Sequence, residues 1–191
     1  MVVLGVDPGA RAAGYGLLEG EGTTWRHRAS GVIRPPAGKP LAARLAALDL
    51  AIRDLVARHQ PAEVAVEGIF YARNPRSAIV MGHARGVILL AAGTTGAVVA
   101  EYAPREIKMS VTGSGAASKQ QVREMVMHLI TSAPPRMSLD AADALAVALC
   151  HINRRASFVG ARGAGTRGAP AGGAPAGGAA AGGAPAGLGS R

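Results

Sequence analysis

A chain of 191 residues is long enough for one domain with a core of its own and too short for two sizeable ones. A single cysteine, Cys150, excludes an intramolecular disulfide and a cysteine zinc cluster, and favours a reducing compartment. The formal charge of +9 is spread unevenly: residues before 154 hold 16 bases and 12 acids, while Arg154, Arg155, Arg162, Arg167 and Arg191 follow with no acid among them. The N-terminal apolar run lacks a basic leader and is too short for a signal peptide. The later run from Val87 to Ala100 is interrupted by Gly93-Thr94-Thr95-Gly96, short of the roughly 20 apolar residues a bilayer needs. A cytoplasmic protein with no membrane partner is expected. From Gly160 onward the chain is nearly all Gly, Ala and Pro, with too little to bury to offset the cost of ordering. The expected organisation is a domain over 1–157 and a disordered tail over 158–191.

Val2-Val3-Leu4-Gly5-Val6 is apolar on both alternations, as suits a central strand, and it ends in Asp7 before Pro8-Gly9 turns the chain. Asp-Pro-Gly is also an ordinary turn signal. Arg11 to Gly14 reads as a loop, Tyr15 to Glu19 as a second strand, Gly20-Glu21-Gly22 as a hairpin turn, and a third strand ends near Ile33 before Pro35-Pro36. Together they form an antiparallel meander. Leu41, Leu45, Leu48, Ile52 and Leu55 recur at helical spacing, giving an amphipathic helix that stops before Pro61.

Val64-Ala65-Val66-Glu67-Gly68 repeats the design of the first strand, an apolar run ending in an acid and a glycine. A strand–helix–strand unit puts it parallel to the first, with Glu67 beside Asp7 at one sheet edge, where open α/β sheets bind ligands. Asn74-Pro75 starts a helix to about Ala92. Its Ala78, Gly82 and Gly86 repeat every four residues, which predicts close approach of another backbone, from the sheet or from a second subunit. Val98 to Tyr102 is a fifth strand, Arg105 to Met109 a short helix, and Gly113-Ser114-Gly115 a loop; Ser118 caps another helix, ended by Pro134-Pro135. The last helix runs from near Leu139 to about Asn153.

Asp140 and Asp143, three apart, share one face at the start of that helix. Acids in a first turn also cap free N–H groups and match the helix dipole. Four carboxylates from three separated elements repel one another unless cations neutralise them. No His or Cys spacing suits zinc, so the partners are hard ions with oxygen ligands, Mg2+ or Mn2+. Two such ions about 4 Å apart activate a water and stabilise the leaving oxygen of a phosphodiester. A basic surface around an acidic pocket suits a polyanion. The five histidines show no ligand spacing and read as surface or packing residues.

The ordered set of motifs resembles RuvC, the bacterial Holliday-junction resolvase family. It comprises Asp7-Pro8-Gly9 with Gly14-Tyr15-Gly16, then Glu67 with Phe70-Tyr71-Ala72-Arg73-Asn74, and Gly82-His83-Ala84-Arg85-Gly86. Glu101-Tyr102-Ala103-Pro104-Arg105, Lys108, Gly113 through Val122, and Asp140-Ala141-Ala142-Asp143-Ala144-Leu145-Ala146 complete it. The likeness runs from the first strand to about residue 153.

That resemblance implies an α/β, RNase H-like fold with a five-stranded mixed sheet flanked by helices. It implies a homodimer that nicks two opposed strands of a four-way junction, leaving 5′-phosphates, and works with RuvA and RuvB. Asp7, Glu67, Asp140 and Asp143 are implied ligands of Mg2+, about two ions per subunit with Asp7 bridging and Mn2+ able to substitute. Lys119 and Lys108 match positions near the scissile phosphate, with Lys119 stabilising its charge. Phe70 matches an aromatic that stacks on junction bases, and it sits with Tyr71 in a loop beside Arg73 and Arg76, a mix suited to stacking and phosphate contact. Ala10 and Gly68 depart from the family, which commonly has a hydroxyl residue and a polar residue there.

Two other classes compete. A phosphotransferase of the actin and sugar-kinase kind also opens with Asp-x-Gly on a first strand, but it needs two such domains. The other is a noncatalytic junction- or RNA-binding module of the same fold.

Overall fold

The computed structural model describes residues 1–68 and 75–164. Ten elements alternate in a pattern close to the expected one. They are β1 (Val2–Asp7), β2 (Ala13–Glu21), β3 (Thr24–Ile33), α1 (Leu41–His59), β4 (Glu63–Glu67), α2 (Pro75–Gly93), β5 (Val98–Tyr102), α3 (Pro104–Thr112), α4 (Lys119–Leu129) and α5 (Leu139–Ala164). One sheet of five strands holds them in the order β3-β2-β1-β4-β5. β1, β2 and β3 form the antiparallel meander, and β4 and β5 run parallel to β1.

Strand parity decides which side chains share a face. Leu4, Val6, Val64 and Val66 pack with Leu48 and Ile52 of α1 and with Ala84 and Ile88 of α2. Val3 and Ala65 face the other way, into the core built by α3, α4 and α5. Asp7 has the parity of Val3, and Glu67 that of Ala65. Both acids therefore end their strands on the α5 side.

Helix ends follow local chemistry. Gln60 takes the left-handed conformation after α1, and its N–H donates to the Val56 carbonyl at 2.8 Å. Ser118 and Gln121 form a reciprocal capping box on α4, and Gly113 closes α3 at φ 73°. Several boundaries differ from expectation: β2 runs through Glu21 into the expected hairpin turn, and α4 ends at Leu129, ahead of Pro134-Pro135. β2 begins at Ala13, because Asp7 pairs with Gly14 and extends the ladder into the expected loop. α3 starts earlier and runs longer, since Pro104 suits a first helical position. α5 continues to Ala164, past the expected end at Asn153, for the Ala, Arg and Val residues there tolerate a helix and no proline interrupts it.

Backbone approach by the sheet to Gly82 and Gly86 is not what the structure shows. A Cβ added at either glycine meets nothing within 4 Å among the described residues, because α2 buries Ala84, Ile88, Ala91 and Ala92 instead. The expected disordered tail lies mostly outside the described residues, as do Asn74 and the loop residues Phe70, Tyr71 and Arg73. Among the described residues no helix is long and apolar enough to cross a membrane.

Candidate metal-binding nuclease site

Two glycines let α5 reach the sheet where the acids end it. A Cβ at Gly5 of β1 would stand 2.1 Å from the Ala144 carbonyl oxygen. One at Gly14, the β2 partner of Asp7, would stand 2.1 Å from the Asp140 carbonyl oxygen. Bare backbone at these points allows the first turns of α5 to lie directly on β1 and β2.

Capping of α5 is performed elsewhere. The Ser138 hydroxyl accepts from the Ala141 N–H at 3.2 Å. Asp140 and Asp143 are thus left for other work.

Asp7, Glu67 and Asp143 line one small cavity of about 130 Å3 together with Lys108 and Lys119. Its back wall is Pro104, Ile107, Val122 and Ala146. β1 and β4 deliver the first two acids, α5 the third, α3 and α4 the two lysines. Asp140 is outside this lining but close enough for its charge to act on Asp7. Arg76 stands exposed in the first turn of α2.

The electrostatics are those of acids crowded without enough cations. Burial, then the Asp143 charge, raises Asp7 to about 6. Burial, then the charge and hydrogen bond of Asp7, raises Glu67 to about 8. Their mutual hydrogen bond lowers Asp7 and raises Glu67, so Glu67 keeps a proton and donates it to Asp7. Lys119 Nζ pairs with Asp143 Oδ2. Burial pulls the Lys119 ammonium down, but the hydrogen bond and charge of Asp143, with Asp7 and Glu67 behind it, leave it above its ordinary value.

Among the described residues no group of three or more Asp, Glu, His or Cys side chains is drawn together to hold an ion. The reason is visible in the pairing: Lys119 takes up Asp143, while Asp7 and Glu67 hold each other through a proton. An all-oxygen donor set that must retain a proton and recruit an ammonium fits a hard divalent cation.

Sequence reasoning passed over two supports. Arg44 of α1 donates from Nη2 to the Ala10 carbonyl and ties down the turn after Asp7. Only its place off the apolar face of α1 was legible beforehand. Ala10 itself is buried at 7% exposure, and its contact with Arg44 runs through the backbone carbonyl. At Gly68 the N–H donates to the Tyr102 carbonyl at 2.8 Å, and an added Cβ would make only ordinary contact. The fold therefore does not require glycine there. A wider groove of about 550 Å3 between α3 and α4 is lined by Thr112, Gln121 and His128 and by one acid, Glu124, so it offers no comparable set of carboxylates.

A family model described as crossover junction endodeoxyribonuclease RuvC matches residues 3–151. The chain belongs to the RuvC family. The RuvC of Azorhizobium caulinodans is 44% identical over 162 residues, 85% of this chain and 95% of that one. The RuvC of Anaeromyxobacter dehalogenans is 47% identical over 164 residues, 86% and 87% of the two chains. Among solved structures, Thermus thermophilus RuvC in complex with Holliday junction substrate superposes with a TM-score of 0.77. It is 31% identical, over 83% of this chain and 96% of that one. The yeast mitochondrial Holliday junction resolvase, 14% identical with a TM-score of 0.63, shares the RNase H-like fold alone.

Proposed function

We propose that the protein resolves four-way DNA junctions as a structure-specific, metal-dependent endodeoxyribonuclease, and that Asp7, Glu67, Asp140 and Asp143 form its ion-binding centre. The observation that carries this is the single cavity in which acids from β1, β4 and α5 meet two lysines, in a chain of the RuvC family. The metal is Mg2+, about two ions per subunit, with Mn2+ able to substitute. Bound there, divalent cations supply Lewis-acid stabilisation of the phosphodiester and a water of lowered pKa.

The side chains prepare and finish that chemistry. With ions bound, the Asp7–Glu67 pair would release its shared proton to solvent. Lys119, released from Asp143, turns its ammonium to the charge that builds on the scissile phosphate. Lys108 contacts a neighbouring phosphate from the cavity wall. Phe70 and Tyr71 stack on unpaired bases at the branch point while Arg73 and Arg76 hold the backbone. The products are opposed nicks with 5′-phosphates, made in recombination and repair.

A homodimer built through α2 is part of the same proposal. Among the described residues Gly82 and Gly86 present open space, and Ile79 and Leu90 are 60% and 61% exposed. Two centres related by a two-fold axis match the near two-fold symmetry of a four-way junction. RuvA and RuvB are the partners family membership supports, and the cytoplasm is the compartment in which such a substrate is met. The domain over 1–157 carries all of these residues.

The noncatalytic alternative has no observation in its favour. The experiment is a nuclease assay with Mg2+ on junction, fork and linear duplex side by side. Cleavage confined to branched substrates, with paired symmetric nicks on the junction, is expected. Equal cutting of linear duplex would contradict it.

A further inference from the structure

His151 is the one polar side chain buried in the core among the described residues, at 6% exposure. Both ring nitrogens are used. The Nε2–H donates to Glu63 Oε2 at 2.6 Å, and in the neutral ring Nδ1 then accepts from the Tyr102 hydroxyl at 2.8 Å. Arg155 pairs with the other Glu63 oxygen at 3.0 Å. Burial raises the Tyr102 phenol above its ordinary value.

One partner lies on a strand that carries an acid and the other on the strand paired with it. Glu63 opens β4, whose other end is Glu67. Tyr102 is the β5 partner of Glu67 in the parallel register, and its carbonyl accepts from the next residue, Gly68. His151 follows Asp143 on α5 by about two turns, so both lie on the same side of the helix. Around them α5 meets the sheet at Gly5 and Gly16 through Ala144, Ala148 and Leu145. Apolar contacts of that kind attract without direction and tolerate small sliding. Two hydrogen bonds of fixed geometry do not.

We propose that His151 is a positioning residue for the ion-binding carboxylates. Through Glu63 and Tyr102 it sets the axial position of α5 against β4 and β5, and so places Asp143 relative to Glu67. The role rests on the assignment of those acids as the metal centre. A buried polar network is poor evidence of stability, since apolar replacements are often neutral. Its value here is a fixed helix setting.

The test is Mn2+ binding by calorimetry and Mn2+-induced rise in melting temperature, on the full chain, with junction binding in EDTA alongside. His151→Leu is expected to weaken Mn2+ binding on the order of tenfold, the effect usual for groups that orient metal ligands. Metal-free junction affinity should stay within about twofold. His151→Gln, able to accept from Tyr102 and donate to Glu63, should recover most of the loss. Tyr102→Phe removes one oxygen and should weaken Mn2+ binding to a smaller extent, which decides the matter should His151→Leu fail to fold. Asp7→Asn separates the two levels. If it binds Mn2+ as the wild type does, the metal-centre assignment itself has failed. If it loses Mn2+ while His151→Leu (or Tyr102→Phe, should His151→Leu not fold) binds normally, His151 is only a packing residue and the inference is overturned.

Discussion

Lys119 of α4 reaches across the cavity to Asp143 of α5, its Nζ on Oδ2. Its side chain remains 60% exposed while that of Asp143 is 13% exposed. With its lysine end open to water, such an ion pair contributes about 0–1 kcal/mol to stability. Under the proposed function its worth lies in holding an ammonium over the acids where phosphate charge would develop. Lys119→Met should therefore leave the melting temperature nearly unchanged. In single-turnover assays it should slow junction cleavage by about 10²–10³-fold, the usual cost of losing one preorganised electrostatic contact.

The acid pair predicts an unusual pH dependence for the metal-free protein. Asp7 and Glu67 have folded-state values of about 6 and about 8, above those of free carboxyls. A raised carboxyl binds more protons folded than unfolded, so its contribution is present at low pH and is lost as pH rises through the folded value. In EDTA, wild-type stability should fall as the pH rises from 5 to 8, by an amount on the order of a few kcal/mol. Asp7→Asn should flatten that slope and be the more stable protein at pH 8. Denaturant melts of both at several pH values check the difference, and added Mg2+ should restore the wild type.

Much of this arrangement was legible beforehand because it follows from period and parity. Val2–Asp7 and Val64–Glu67 are apolar runs ending in acids, so strand alternation alone puts Asp7 and Glu67 on one face once the strands pair. What stayed hidden was contact at a distance. Nothing local marks Gly14 as the seat of the Asp140 backbone, or Arg44 as the donor to Ala10, since both depend on how α1 and α5 settle on the sheet. His151 read as a surface or packing residue. Its packing was right, but its bonds to Glu63 and Tyr102 arise from residues 88 and 49 positions away. The end of α5 was missed because a stretch rich in small residues gives no periodic signal.

Gly14→Ala tests the seating of α5. The new Cβ would start 2.1 Å from the Asp140 carbonyl oxygen, which belongs to backbone and cannot swing aside. The start of α5 must then lift, at about 1–3 kcal/mol. Cleavage should fall more than stability does, because Asp140 and Asp143 move with the helix. Gly68→Gln, where ordinary space exists, should cost little in either measurement.

Gly82→Arg tests the α2 face. Open space at that Cβ among the described residues means the subunit should keep its fold by circular dichroism. Sedimentation should show the dimer lost, and paired nicking of a single junction should give way to slow, uncoupled cuts.

The central claim is that acids at the mouth of the sheet hold the ions that cut DNA. It is tested most directly with a mobile four-way junction, each strand end-labelled in turn, incubated with Mg2+ and either wild type or Asp7→Asn. The account predicts symmetric nicks on two opposed strands from the wild type, and from Asp7→Asn a stable protein–junction complex with no cleavage. Cutting by Asp7→Asn at the wild-type rate would contradict it.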